Sequence, residues 1–167
     1  MIKHNFNENW SYRRLGEESF KSVTLPHDAA MYEERSKDAE AGVNTGWYLG
    51  YDYEYIKTFA VPEEYKDKNV IFEFEGVYHN AEVFINGKLA VYRPYGYTNF
   101  FVTADKFLKY GQDNEMRVIA RNADQPNSRW YPGTGIYRPV FLWIGEEKHI
   151  PVNGVRIRAV SYEPAVI

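Results

Sequence analysis

Apolar and polar residues alternate over several short stretches of this chain, a pattern that is typical of half-buried β-strands. In residues 69–76 (NVIFEFEG), Val70, Phe72 and Phe74 share one face of the predicted strand, whereas the other face carries two glutamates. Similar patterns predict strands over 53–61, which ends before a proline, and over 113–122, 136–145 and 152–160. Residues 97–107 (YTNFFVTADKF) are predicted to form a strand that leads into a helical turn.

Residues 81–92 (AEVFINGKLAVY) contain two alternating runs on either side of Asn86 and Gly87. An Asn-Gly pair suits a type I′ turn, because both central residues of that turn need a positive φ. The stretch therefore predicts a β-hairpin.

These short strands follow one another closely, and no helical pattern is long enough for the crossovers of a parallel sheet. The order predicts an all-β fold, an antiparallel β-sandwich or barrel. Residues 27–46 are the exception, since they indicate a long loop with at most one helical turn. Loops of this length in compact domains tend to be functional.

The composition places the chain among soluble globular proteins of one domain, with 167 residues, 44% hydrophobic and 26% charged. A net charge of -3 without a basic stripe argues against a nucleic-acid partner. The absence of cysteine excludes disulfides and thiolate metal sites, and the four histidines lack ligand spacing, so we expect no metal site. The N-terminus shows no signal peptide and no window suits a membrane span, which favours a cytoplasmic location.

Six fragments then occur in a characteristic order: LPHD (25–28), TGWY (45–48), YIKTF (55–59), FEGVYHNAEVFINGK (74–88), YGYTNF (95–100) and SRWYPGTGIYRPV (128–140). From about Phe6 to Ile150, the chain resembles the N-terminal sugar-binding domain of family 2 glycoside hydrolases. This family includes β-galactosidases, β-glucuronidases and β-mannosidases.

The resemblance implies a jelly-roll β-sandwich, similar to galactose-binding domains, over residues 1–150. Residues 151–167 would be a linker and the start of an immunoglobulin-like domain, because an apolar run after Pro151 continues to the last residue. A (β/α)₈ barrel would follow with both catalytic glutamates of a retaining mechanism. We therefore expect no catalytic residue in this chain, no hydrolysis by it alone, and packing against those two domains.

The resemblance also implies a candidate site in the loop before the strand at Ile136. The predicted sugar-binding residues are Ser128, Arg129, Trp130, Tyr131, Trp47 and Tyr48. Aromatic rings can cover the apolar face of a pyranose, and polar side chains can bind its hydroxyls. Some family members have an Asp at the position of Ser128, and this Asp contacts sugar or a monovalent cation. Because Ser128 takes its place here, it is left open whether the parent enzyme binds a cation.

Structural roles are the alternatives for several of these residues. Trp130 and Tyr131 could instead cover the edge of the sandwich, with Arg138 paired to an acid on a neighbouring strand. The side chains of Trp47 and Tyr48 could contact the barrel, and Ile136 is predicted to point inward.

Two further groups of titratable residues are predicted to be structural. In LPHD, the side chain of Asp28 is expected to cap backbone amides rather than to work with His27 as an acid and base. The alternating Glu73, Glu75 and Glu82 are predicted to lie on a solvated sheet face and not to form a glycosidase pair.

The leading hypothesis is that the chain is a non-catalytic domain of a retaining glycosidase and contributes loops to the rim of its active site. By overall resemblance, the expected parent is a β-galactosidase. A β-glucuronidase or β-mannosidase parent is the first alternative, and an oligomer is left open. A free-standing carbohydrate-binding module or lectin is the second alternative, and a purely bracing domain is the third.

Overall fold

Two antiparallel β-sheets build the computed structural model of the chain, which describes residues 1–163 and 165–166. The four-stranded sheet has the order β1-β10-β5-β8. Its strands are β1 (Ile2–Asn5), β5 (Asn69–Phe74), β8 (Phe100–Thr103) and β10 (Val140–Gly145).

The six-stranded sheet has the order β3-β2-β4-β9-β6-β7. Its strands are β2 (Trp10–Arg14), β3 (Lys21–Val23), β4 (Tyr53–Val61), β6 (Ala81–Ile85), β7 (Lys88–Arg93) and β9 (Gln112–Ala120). The long strands β4 and β9 lie at its centre and pair over their whole length.

Aromatic residues from both sheets form the core between them. Phe72 and Phe74 of β5 and Tyr53 and Tyr55 of β4 are almost completely inaccessible to solvent, as is Trp10 of β2. In central strands such as β6 and β9, buried residues alternate with residues that point outward, so the predicted antiparallel all-β sandwich is confirmed.

The predicted hairpin is present as β6 and β7. Asn86 and Gly87 both have positive φ, at 51° and 77°, as a type I′ turn requires. Residues 97–107 also follow the prediction, because β8 leads into a 3₁₀ turn at Asp105–Phe107. The predicted long loop of residues 27–46 is present, but it contains two short 3₁₀ turns, Ala29–Tyr32 and Gly42–Thr45, instead of at most one helical turn.

Two predicted strands differ from the structure. The strand expected over 136–145 begins only at Val140, because residues 134–136 hydrogen-bond to loop segments instead of to a sheet. No strand forms over 152–160, where Val155, Ile157 and Val160 are exposed and lack a partner strand within the described residues. A two-strand ladder, β11 (Ser161–Tyr162) with β12 (Ala165–Val166), follows.

The predicted linker and domain start at 151–167 extend over two residues, 164 and 167, that lie outside the described part of the chain. Among the residues that are described, no helix has the length and apolar character needed to cross a membrane.

Candidate functional site

The base of the candidate loop is fixed by backbone hydrogen bonds on two sides. On one side, the amides of His27 and Ala29 donate to the carbonyls of Ile136 and Thr134, each at 2.9 Å. On the other side, residues 78 and 135 exchange two hydrogen bonds of 2.9 and 3.0 Å. The LPHD segment and residues 134–136 therefore form one structural unit, and Ile136 is fully buried as predicted.

Gly135 is required at this base for two reasons. Its φ of 86° is a conformation that L side chains rarely adopt. A Cβ added there would lie 2.1 Å from the hydroxyl oxygen of the buried Tyr55. Any side chain at this position would therefore displace the loop or the core.

Asp28 accepts three hydrogen bonds, two of which hold the candidate loop. Its carboxylate accepts from the hydroxyl of Tyr131 at 2.7 Å, from the amide of Thr134 at 3.1 Å and from the amide of Ala30 at 3.3 Å. Burial raises the pKa of Asp28, and these hydrogen bonds oppose that rise. The prediction that Asp28 caps backbone amides is confirmed.

His27 is buried and serves the core. Its Nδ1 lies 2.9 Å from the hydroxyl of Tyr55, and its ring lies between those of Tyr12 and Tyr32. Burial lowers the pKa of His27 to about 4, so the imidazole is neutral at physiological pH.

Amide side chains support the start of the loop. The side chain of Asn127 donates to Oδ1 of Asn122 at 2.8 Å and accepts from the hydroxyl of Tyr78 at 3.1 Å. Asn122 in turn donates to the hydroxyl of Thr134 at 2.8 Å. Sequence reasoning missed this network, and the only signal was a group of polar residues directly after the strand that ends at Ala120.

Above this support, Arg129 and Trp130 are exposed, and Ser128 is half-buried. The indole of Trp130 is 59% exposed, and its Nε1 donates to the hydroxyl of Tyr97 at 2.9 Å. The hydroxyl of Ser128 donates to the carbonyl of Trp130, and Arg129 is exposed. The indole of Trp130 is thus free for a sugar contact, and the alternative in which it covers the sandwich edge stays open.

The alternative pairing of Arg138 with an acid is wrong, because within the described residues its guanidinium meets no carboxylate. It lies over the ring of Tyr137 at 5.3 Å, and Nη1 is 3.5 Å from the carbonyl oxygen of Tyr97.

Of the predicted aromatic residues Trp47 and Tyr48, only Tyr48 contacts the loop of residues 128–131. The rings of Tyr48 and Tyr131 lie 5.8 Å apart, so these two residues form one surface. Trp47 turns instead towards Arg35 and Lys37, where it lines a separate open cleft. Five of the six predicted positions, residues 128–131 and Tyr48, therefore lie in one region, and Trp47 lies to one side of it.

The prediction that Glu73 lies on a solvated sheet face is wrong. This side chain is only 5% exposed and accepts from Nε1 of Trp143 at 2.8 Å, with Lys3 at 3.3 Å. Burial raises the pKa of Glu73, but its hydrogen bonds and Lys3 together outweigh that effect and lower it. Glu82 is half-buried and pairs with Arg121 at 2.8 Å.

Glu54 is a second buried carboxylate that alternation alone did not reveal. It lies on the outer face of the six-stranded sheet and bonds to both Arg13 and Arg117. Burial raises the pKa of Glu54, but the hydrogen bonds of the two arginines outweigh it and lower the net pKa. In the described part of the chain, no three His, Asp or Glu side chains are grouped as metal ligands would be.

Comparison with known proteins agrees with this geometry. The protein-family model described as "Glycosyl hydrolase 2 galactose-binding domain-like" matches residues 23–152. A β-galactosidase of Bacteroides ovatus is 36% identical over 162 residues, which cover 91% of this chain and 19% of the relative. A β-glucuronidase of Bacteroides fragilis is 31% identical over 153 residues, covering 88% of this chain and 21% of the relative.

A crystal structure of a β-glycosidase from Bacteroides vulgatus superimposes with a TM-score of 0.82 at 32% identity, covering 90% of this chain and 21% of that one. The chain thus spans about a fifth of the length of the relatives that it matches. With its two antiparallel sheets and its match over residues 23–152, the chain belongs to the galactose-binding-like N-terminal domain family of family 2 glycoside hydrolases.

Proposed function

We propose that this chain is the non-catalytic N-terminal domain of a retaining family 2 glycosidase that hydrolyses β-galactosides, and that residues 128–131 with Tyr48 form part of its sugar-binding rim. The rim assignment rests on one observation, the contrast between the fixed base of the loop and its exposed upper part. Its base is fixed by Asp28 and Gly135, whereas Trp130 above it is left largely exposed. An aromatic plane on a rigid support suits the apolar face of a sugar.

The distribution of carboxylates supports a non-catalytic role. A retaining glycosidase needs two carboxyl groups about 5 Å apart, one as nucleophile and one as acid and base. Glu54 and Glu73 are buried in contacts with cations, and they lie on different sheets. We therefore expect hydrolysis to depend on a catalytic barrel elsewhere in the protein.

A β-glucuronide is the second candidate substrate, favoured by the 31% identical relative that is named a β-glucuronidase. Hydrolysis of aryl β-galactosides and aryl β-glucuronides by the full-length protein separates the two candidates. The 167-residue chain alone is expected to hydrolyse neither glycoside, and measurable turnover by it would overturn the non-catalytic role.

Residues 151–163 fit a connection to a following domain. Val155, Ile157 and Val160 are 68–77% exposed, and burial against another domain would remove this apolar surface from water. We propose that the immunoglobulin-like and barrel domains of the full-length protein pack against this chain.

Trp130→Ala in the full-length protein tests the rim. A sugar contact predicts that kcat/KM falls about tenfold, or about 1.4 kcal/mol, while Tm changes by less than about 2 °C. Tyr92→Ala is a matched control, because Tyr92 is an exposed aromatic residue on β7. An unchanged kcat/KM with a lower Tm would assign Trp130 to bracing instead.

A further inference from the structure

Trp47 lines an open cleft of about 260 Å³ that the candidate rim does not include. The other lining residues are Arg35, Ser36 and Lys37, so two cationic side chains and no carboxylate border a cleft whose surface is mainly apolar. The cleft combines a flat apolar surface with positive charge.

The backbone presents the indole of Trp47 to solvent. Trp47 has a φ of 68°, which is uncommon for a bulky residue and is usually found where the surroundings impose it. Its amide donates to the carbonyl of Gly42 at 2.9 Å, and its carbonyl accepts from the amide of Ser36 at 2.8 Å. These bonds fix the backbone, and the side chain remains 44% exposed.

The two cations are available to a ligand. Arg35 lies over the ring of Tyr48 at 5.3 Å, and in the described part of the chain neither Arg35 nor Lys37 forms an ion pair. Of the neighbouring acids, Glu33 pairs with Arg14 and Asp38 lines a different groove, whereas Glu34 lines a second groove together with Arg35.

A neutral sugar could stack on Trp47 but would leave both positive charges without a partner. A sugar with a carboxylate or a sulfate ester would use the ring and the cations together, since Arg binds such planar or tetrahedral anions through several N–H groups. We propose that the Trp47 cleft binds an acidic residue of a glycan, either a uronate or a sulfated sugar.

The cleft lies next to the proposed rim. Arg35 contacts Tyr48, and Tyr48 contacts Tyr131, so one surface connects the cleft to residues 128–131. The inference rests on the proposed function, because it places the acidic sugar in a part of the glycan away from the bond that is cleaved.

Calorimetric titration of the full-length protein tests this site with matched ligands. A short oligogalacturonate is compared with its methyl ester, and a carrageenan oligosaccharide with an agarose oligosaccharide, so that the two arms separate carboxylate from sulfate. The proposal is supported if either charged glycan binds at least about fivefold tighter than its neutral match and if added salt weakens that binding.

Two variants locate the binding. Arg35→Gln/Lys37→Gln removes both charges and should lower the affinity for the charged glycan to that of its neutral match. Trp47→Asn removes the ring and keeps a residue that tolerates positive φ, and it should weaken binding about tenfold. The control Lys88→Gln/Lys109→Gln changes the net charge equally at exposed positions elsewhere and should leave the affinity unchanged.

The proposal is overturned if charged and neutral glycans bind equally, if neither binds, or if the control pair weakens binding as much as the cleft pair does. Aryl β-galactoside hydrolysis by the Arg35→Gln/Lys37→Gln protein reports separately on the proposed function, because an aryl glycoside has no acidic residue for the cleft. Unchanged hydrolysis with no glycan binding would therefore reject the cleft alone.

Discussion

Replacing Gly135 with Ala is expected to destabilise the sandwich at the base of the candidate loop. Two separate effects contribute. An L residue at the φ of 86° costs about 1–2 kcal/mol. The new Cβ would also lie 2.1 Å from the hydroxyl oxygen and 2.9 Å from a ring carbon of Tyr55, and overpacking of this kind costs about 1–3 kcal/mol. The expected loss in the free energy of unfolding is about 2–5 kcal/mol.

Gly87→Ala is the matched control for the backbone effect. Gly87 has a similar φ of 77°, but an added Cβ would meet nothing within 4 Å. Urea unfolding of the 167-residue chain, followed by tryptophan fluorescence, should show a loss of only about 1–2 kcal/mol for this variant.

Tyr55→Phe tests the steric effect directly. It removes the oxygen that lies 2.1 Å from the added Cβ, although it also removes the hydrogen bond to His27, which contributes about 1 kcal/mol. Gly135→Ala should therefore cost less in the Tyr55→Phe background than in the wild type. Equal losses for Gly135→Ala and Gly87→Ala would refute the assignment of Tyr55 as the obstacle.

Three further variants test other contacts. Tyr131→Phe removes the hydroxyl that donates to Asp28 and should lower the free energy of unfolding by about 1 kcal/mol in urea, whereas no change would show that Asp28 does not hold the loop through Tyr131. Glu54→Gln leaves its two arginines without a counter-charge and should cost about 2–4 kcal/mol at pH 7; a loss below about 0.5 kcal/mol would contradict the role of this buried ion pair. Because the folded-state pKa of His27 is about 4, below its usual 6.5, the unfolded chain is protonated first and stability should fall from about pH 6.5 to 4. His27→Gln should make that decline shallower in urea titrations, and an unchanged slope would contradict the buried neutral imidazole.

The alternation of residues predicted several strands well, because the period of a strand is a local property of the chain. The strand over 53–61 has the predicted bounds, and the Asn86-Gly87 turn forms the expected hairpin. The pattern did not predict where the strand after the candidate loop begins. There the backbone of residues 134–136 pairs with the segment of His27 and with Tyr78, so the strand begins only at Val140.

The resemblance to family 2 glycoside hydrolases also pointed to Trp130 and Tyr131 of the candidate loop, and both side chains are exposed. It could not show how they are supported. Asp28 reaches Tyr131 across a large separation in the chain, and the amides of Asn122 and Asn127 carry no periodic signal.

By itself, therefore, the sequence determined the central strands, the hairpin and the family, since these depend on local order along the chain; it did not predict β1, β2 or β3. Only the tertiary structure decided which polar residues are buried and which aromatic residues meet. Glu73 sits on the polar side of its strand, yet Trp143 and Lys3 from neighbouring elements cover it. Tyr48 and Tyr131 form one surface while Trp47 faces a separate cleft, because these contacts depend on how distant loops pack at the edge of the sandwich.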